Sequence, residues 1–250
     1  MTSSTAVELK SLDRHILQIT MQDRVSKNTF SEALTQGLMD AFAEAGENPD
    51  CKAVILTGYD NYFASGGTQE LLLGLSDGQG AFTDRALYSL PLHCPVPVIS
   101  AMQGHGIGGG FVLGMFADMV VLSRESIYTA NFMRYGFTPG MGATFILPQK
   151  LGMGLATEMM LSANSYRGEE LQQRGIPFAV LPRDKVMAHA LELAQSLAEK
   201  PRVSLVTLKE HLSAQLREAL PKMVAQEVAM HAVTFAQPEV KSKIATLFGT

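Results

Sequence analysis

Pro95-Val96-Pro97-Val98-Ile99-Ser100-Ala101-Met102-Gln103-Gly104-His105-Gly106-Ile107-Gly108-Gly109-Gly110-Phe111 reads as a strand, a glycine turn and the start of a helix. The apolar run Pro95–Ser100 is the strand, and its two prolines predict an edge position or a start outside the hydrogen-bonded ladder. Gly104–Gly110 is the turn, and Phe111–Ala117 opens a buried helix before a further strand at Met119–Leu122. Upstream, Ala53-Val54-Ile55-Leu56-Thr57-Gly58 is a short buried strand. It leads into a glycine-rich loop over 60–80 that carries Phe63-Ala64-Ser65-Gly66-Gly67-Thr68, with a helix expected near Thr83. Strands alternating with helices predict an α/β fold with parallel pairing and right-handed crossovers.

Outward from this centre, Val7–Met21 alternates with period two, as a hairpin does. Thr29-Phe30-Ser31-Glu32 reads as a capping box for a helix with Leu34, Leu38 and Phe42 on one face. From Gly142 onward the pattern is mostly helical: Asp184–Lys200, then Val203–Leu212 and Ala225–Phe235, set apart by Pro201 and Pro221. A core over 1–195 followed by a helical region over 196–250 is the expected organisation. At 250 residues, 46% hydrophobic and 18% charged, the chain is long enough for one large core. A net charge of −4 gives no electrostatic case for nucleic acid or an anionic membrane. Cys51 and Cys94 make no disulfide framework, and no Cys/His spacing suits zinc, so no metal is expected. Met1-Thr2-Ser3-Ser4 lacks the features of a secretory leader, and no run is long enough to span a membrane, so a cytoplasmic setting is expected.

The chemistry lies in the two glycine segments. Glycine lets the main chain approach a ligand, and a glycine turn at a helix start leaves N–H groups without acceptors. Two such turns aimed at one oxygen would form an oxyanion hole for an acyl thioester. Tight strand–helix packing explains Gly104–Gly110 alone about as well. A dinucleotide fingerprint fits Gly104-x-Gly106-x-x-Gly109 less well, because the following strand ends at Leu122-Ser123 with no acidic residue and Glu125 comes only in the turn beyond.

Taken together, these segments and Gly136-Phe137-Thr138-Pro139-Gly140-Met141-Gly142 resemble the crotonase (enoyl-CoA hydratase/isomerase) superfamily over essentially the whole chain. The resemblance implies a crotonase-type spiral of ββα units, C-terminal helices used for trimer assembly, and oxyanion-hole N–H donors at Gly67 and Gly109. It also exposes departures. The two glutamates that activate water in the family's hydratases fall on Val112 and Phe132, and neither side chain transfers a proton. Thr68 stands where an aspartate is common.

Asp60–Thr68, Tyr128–Gly140, Ser165-Tyr166-Arg167-Gly168 and Gln226–His231 resemble more closely the decarboxylating members that act in polyketide β-branching. That resemblance implies loss of CO₂ from a 3-methylglutaconyl thioester on an acyl carrier protein. Neither metal nor organic cofactor is needed, because the thioester is the electron sink. It implies an apolar acyl site from Val112, Phe132, Met133 and Tyr135, and His231 as the proton donor, with Glu227 one helical turn away to orient or charge it. The subgroup's carboxylate-holding lysine falls on Ala81. Three alternatives stay open: Arg85 or Arg134 supplies the charge, the loop register differs, or Ala81 is an inactivating substitution. An isomerase or hydrolase of CoA thioesters, and a non-catalytic carrier-binding protein, are the competing functions.

Overall fold

The computed structural model describes residues 6–80, 82 and 86–248. The hairpin forms as the alternation predicts: β1 (Val7–Leu12) pairs antiparallel with β2 (Ile16–Met21). α1 (Glu32–Glu47) starts one residue pair later than the expected box. Ser31 has the extended backbone of an N-cap and its Oγ accepts from the Leu34 N–H at 3.1 Å, while Thr29 is drawn away into a bridge with Gly66. After β3 (Ala53–Thr57), the stretch read as a loop contains β4 (Tyr62–Ala64) and α2 (Gln69–Ser76). A three-residue strand shows no periodicity. α2 follows from Thr68, whose Oγ1 caps the Leu71 N–H at 3.1 Å. The helix expected near Thr83 lies outside the described residues.

α3 (Leu90–His93) leads to β5 (Val98–Met102), β6 (His105–Ile107), α4 (Gly109–Met115), β7 (Met119–Ser123) and β8 (Ile127–Thr129). Both prolines precede β5, which lies in the middle of its sheet and not at an edge. A 3-10 turn over Asn131–Tyr135 is followed by α5 (Ala143–Leu151), α6 (Met153–Ser162), β9 (Ser165–Arg167), α7 (Gly168–Gln173), β10 (Ala179–Leu181), α8 (Arg183–Ala198), α9 (Arg202–Thr234) and α10 (Pro238–Leu247).

The strands sort into two sheets, β1-β2-β3-β5-β7-β10 and β4-β6-β8-β9, parallel except for β1 and β9. Each repeat places a long strand in the first sheet and the next, short strand in the second, then turns into helix. The crossing demands close main-chain approach: a Cβ at Gly104 would lie 2.5 Å from the Tyr62 nitrogen. β4 and β6 are therefore parallel neighbours, with Tyr62 opposite His105 and Ala64 opposite Gly106. This pairing sets the two glycine turns side by side.

β3 is buried on both faces, as a covered parallel strand must be. Val54 and Leu56 join the main core, whereas Ala53 and Ile55 join a second core under Val186, Ala190 and Ala194 of α8. α9 replaces the two helices expected around Pro221. Pro221 cannot donate to the Arg217 carbonyl, but Leu220 and Val224 are buried on either side and hold the helix through it. Lys209 pins α9 to the core: its Nζ donates to the carbonyls of Pro91 (2.8 Å) and Val96 (3.0 Å) and pairs with Asp118 at 2.7 Å.

Candidate active site

The first glycine turn is fixed from behind. Phe30 N–H donates to the Gly66 carbonyl at 2.7 Å. In a trans peptide the C=O and the following N–H point opposite ways, so the Gly67 N–H is turned away from Phe30. Gly66 needs its glycine: φ is +76°, and a Cβ would lie 3.0 Å from the Ile107 oxygen and 3.2 Å from the Gly109 nitrogen. The second turn is fixed likewise. Gly108 N–H donates to the Thr129 carbonyl at 2.8 Å, and its own carbonyl accepts from Val112 at 3.1 Å. Gly109 is then the first residue of α4, where no N–H has an acceptor within the helix. Neither the Gly67 nor the Gly109 N–H meets an acceptor among the described residues. The two segments picked out in the sequence thus abut, each offering a free main-chain donor.

A supporting residue escaped the sequence reading. Asn28, fully buried with φ +54°, donates from Nδ2 to the carbonyls of Met21 and Phe63, each at 2.9 Å. Its own carbonyl accepts from Ser65 at 2.9 Å, tying the approach to Gly66. An asparagine between Lys27 and a helix cap is the one signal, since Asn tolerates the left-handed region.

On the other flank, the 138–144 turn reaches both the glycines and His231. Gly140 is flush with the imidazole: a Cβ there would lie 2.6 Å from His231 Cε1. Met141 lies over Gly109, whose added Cβ would lie 2.4 Å from the Met141 sulfur. His231 Nε2 hydrogen-bonds the Thr138 carbonyl at 2.8 Å, so the neutral ring carries its proton on Nε2 and leaves Nδ1 bare. Burial pushes its pKa below the ordinary 6.5, against the opposing pull of the Thr138 and Pro139 carbonyls. His231 lines a cleft of about 260 Å³ with Leu75, Phe82, Val228, Ala232 and Phe235.

Glu227 does not orient the imidazole as expected. It is fully buried, and its carboxylate accepts from the Gly142 N–H (2.7 Å), the Thr144 N–H (2.9 Å) and the Thr144 hydroxyl (2.6 Å). The first turn of α5 offers three donors and captures the charge.

None of the four residues expected in the acyl site lines the cleft. Val112 is wholly inside the main core. Phe132 and Tyr135, also buried, reach the cleft through Phe137, with ring centroids 6.1 and 6.0 Å away; Phe137 in turn stacks on Phe235 at 4.5 Å. Met133 is half-buried and Arg134 exposed. Ala81 and Arg85 lie outside the described residues. His105 is structural: its Nδ1 accepts from the Ile127 N–H at 2.9 Å, and burial lowers its pKa. Among the described residues no cluster of side chains could hold a metal ion, and no helix is long and apolar enough to cross a membrane.

With this geometry, comparison with known proteins is specific. The family model described as enoyl-CoA hydratase/isomerase matches residues 12–248. The chain is 63% identical over 245 residues to the bacillaene synthase decarboxylase PksI of Bacillus subtilis, covering 98% of each. It is 27% identical over 223 residues to the 2,3-dehydroadipyl-CoA hydratase of Escherichia coli, covering 87% of this chain and 86% of the other. A solved structure from a dehydratase/decarboxylase enzyme couple of polyketide β-branching superposes with a TM-score of 0.97 at 63% identity, covering 98% of this chain and 100% of that one. The ECH2 decarboxylase domain of CurF from Lyngbya majuscula superposes with a TM-score of 0.93 at 46% identity, covering 97% and 99%. The family model over residues 12–248 and the 63% identity to PksI, on a fold that sets the two glycine turns side by side, show that the chain belongs to the enoyl-CoA hydratase/isomerase family, the crotonases.

Proposed function

We propose that this chain is a lyase that decarboxylates a 3-methylglutaconyl thioester borne by an acyl carrier protein, in polyketide β-branching. The observation that carries the reading is the abutment of two unbonded N–H groups, Gly67 and Gly109, joined by the 138–144 turn to a cleft whose described lining holds no carboxylate to activate water. The carbon–carbon bond to the carboxylate breaks, CO₂ leaves, and the bonding pair enters a dienolate whose negative charge rests on the thioester oxygen. The two main-chain donors hold that oxygen; donors of this kind contribute on the order of 3 kcal/mol each to lowering a barrier. Among the described residues lining the cleft there is no lysine or arginine. A carboxylate there is poorly solvated, and the charge-dispersed dienolate suffers less.

One proton then completes the product, and His231 is the proposed donor. With Nε2 committed to Thr138, donation comes from Nδ1 of the imidazolium, whose lowered pKa makes it a better acid than an ordinary imidazolium. The similarity to PksI and to the CurF domain supports the reaction class. The carrier partner and a homotrimer built through the 196–250 region belong to the same reading. Leu208 and Leu212, 56% and 70% exposed and one turn apart on α9, give that region an apolar face to bury.

Mass spectrometry of carrier-bound 3-methylglutaconate tests the proposal. Loss of the mass of CO₂ is expected with this chain, and an Ala81→Lys variant run beside it reports the effect of the lysine that the resemblance expects at that position. No loss with either protein would overturn it, and turnover of a CoA ester with the carrier substrate intact would favour an isomerase or hydrolase.

A further inference from the structure

We propose that Glu227 is a positioning residue for this reaction: its ionised carboxylate holds the 140–144 turn in the one conformation that serves both the Gly109 donor and His231. The inference rests on the decarboxylase reading. Glu227 touches neither group itself, because both oxygens are taken by Gly142 and Thr144.

Three donors and no acceptor around the carboxyl select the ionised form, since a protonated oxygen would face an N–H or O–H. Burial works the other way and pushes the pKa up, and no cation among the described residues relieves it. Phe116 and Leu220 crowd Gly142, so the surroundings are apolar. A buried carboxylate with no cation beside it is a costly way to pack a helix against a turn. What it secures is the shape of that turn.

Met141 (φ +64°) and Gly142 (φ +76°) are consecutive left-handed residues, and the first has a side chain. Such a conformation persists only where surrounding bonds fix it. The Gly142 N–H belongs to the peptide joining these two residues, so its bond to Glu227 sets that peptide plane. Upstream, the same turn rests Gly140 on the imidazole, presents the Thr138 carbonyl to Nε2 and lays Met141 over Gly109. α9 therefore supplies His231 and, one turn earlier, the clamp on the turn that receives it.

The test is Glu227→Gln. Its amide oxygen still accepts from Thr144, but its NH₂ opposes the Gly142 N–H, donor against donor. A folded variant is expected to lose about tenfold or more in kcat with KM within about twofold, because mispositioning and not binding is what changes. The kcat–pH profile should also shift as the Thr138–His231 contact loosens. Thr144→Val removes one donor and keeps the charge; it should lose about threefold in kcat. It carries the test if Glu227→Gln does not fold. A folded Glu227→Gln with kcat within about twofold of the parent and an unmoved pH profile would overturn the proposal, as would an effect confined to KM. If the parent chain releases no CO₂, the decarboxylase reading fails but the clamp is still testable. The Gly109 amide resonance and the His231 ring titration by NMR should both move in Glu227→Gln, and their constancy would overturn the positioning role.

Discussion

Gly66→Ala should damage catalysis more than Gly67→Ala, although Gly67 is the glycine that presents the donor. Three costs are readable at Gly66. An L-residue at φ +76° costs about 1 kcal/mol. The new Cβ meets only main chain, 3.0 Å from the Ile107 oxygen and 3.2 Å from the Gly109 nitrogen, so two turns must separate by a few tenths of an ångström. Separation strains the 2.7 Å bond from Phe30 N–H to the Gly66 carbonyl, which sets the Gly67 peptide plane. Strain and crowding together should lower stability by about 2 kcal/mol. Loss of one aligned donor should slow decarboxylation by ~10²-fold. Gly67→Ala is the control: its φ is not left-handed, its Cβ would sit 3.5 Å from the flexible Leu72 side chain, and its N–H remains. Urea unfolding gives the first quantity, and a mass-spectrometric time course on carrier-bound 3-methylglutaconate gives the second. If Gly66→Ala turns over within about threefold of the parent, or Gly67→Ala is the slower of the two, the donor geometry is not what drives the reaction.

His231 gives a pH signature with two opposite signs. Its folded pKa lies below the ordinary 6.5, so stability is lost as pH falls through 6.5, and a His231→Gln variant should lack that slope in unfolding free energy. Turnover should instead rise as pH falls toward the depressed pKa, because the imidazolium donates; His231→Ala should slow product formation at every pH, and unchanged turnover would remove His231 from the mechanism. Lys209→Met leaves the Asp118 carboxylate with the Val98 N–H but no cation, and the Pro91 and Val96 carbonyls without the Nζ donor, so denaturant unfolding should show a loss of about 3 kcal/mol. Pro221→Ala restores an N–H to α9 and should raise stability by about 1 kcal/mol or more, visible as a higher melting temperature.

The long strands and the hairpin were legible because their residues obey the period of two or form short apolar runs. The glycine turns were legible because only glycine satisfies such close approach. The second sheet was hidden: β4, β6 and β8 are three residues each, shorter than any periodicity, and β6 lies inside the stretch read as a turn. Pro221 misled for a physical reason, since a proline's penalty in a helix is local while the burial of Leu220 and Val224 is tertiary. The proposed donors Gly67 and Gly109, whose N–H groups the fold leaves free, were singled out from motif, as was His231, which lines the cleft. The partners of Glu227 could not, because two of its three bonds run to main-chain N–H groups of Gly142 and Thr144, which every residue type but proline carries, and the third runs to a single hydroxyl 83 residues away. Asn28 and Met141 were missed for the same reason: their roles depend on left-handed backbone, which a sequence does not display outside glycine.

The pairing of β4 with β6 has a bearing on how this chemistry can change over time. The two donors come from successive repeats of one spiral, so their spacing is inherited from the roughly 4.8 Å between neighbouring strands. No substitution can delete a main-chain N–H short of proline. Descendants of such a scaffold keep the means to steady a negative oxygen while the surrounding side chains drift. Side chains such as Val112 and Phe132 can change without touching that framework.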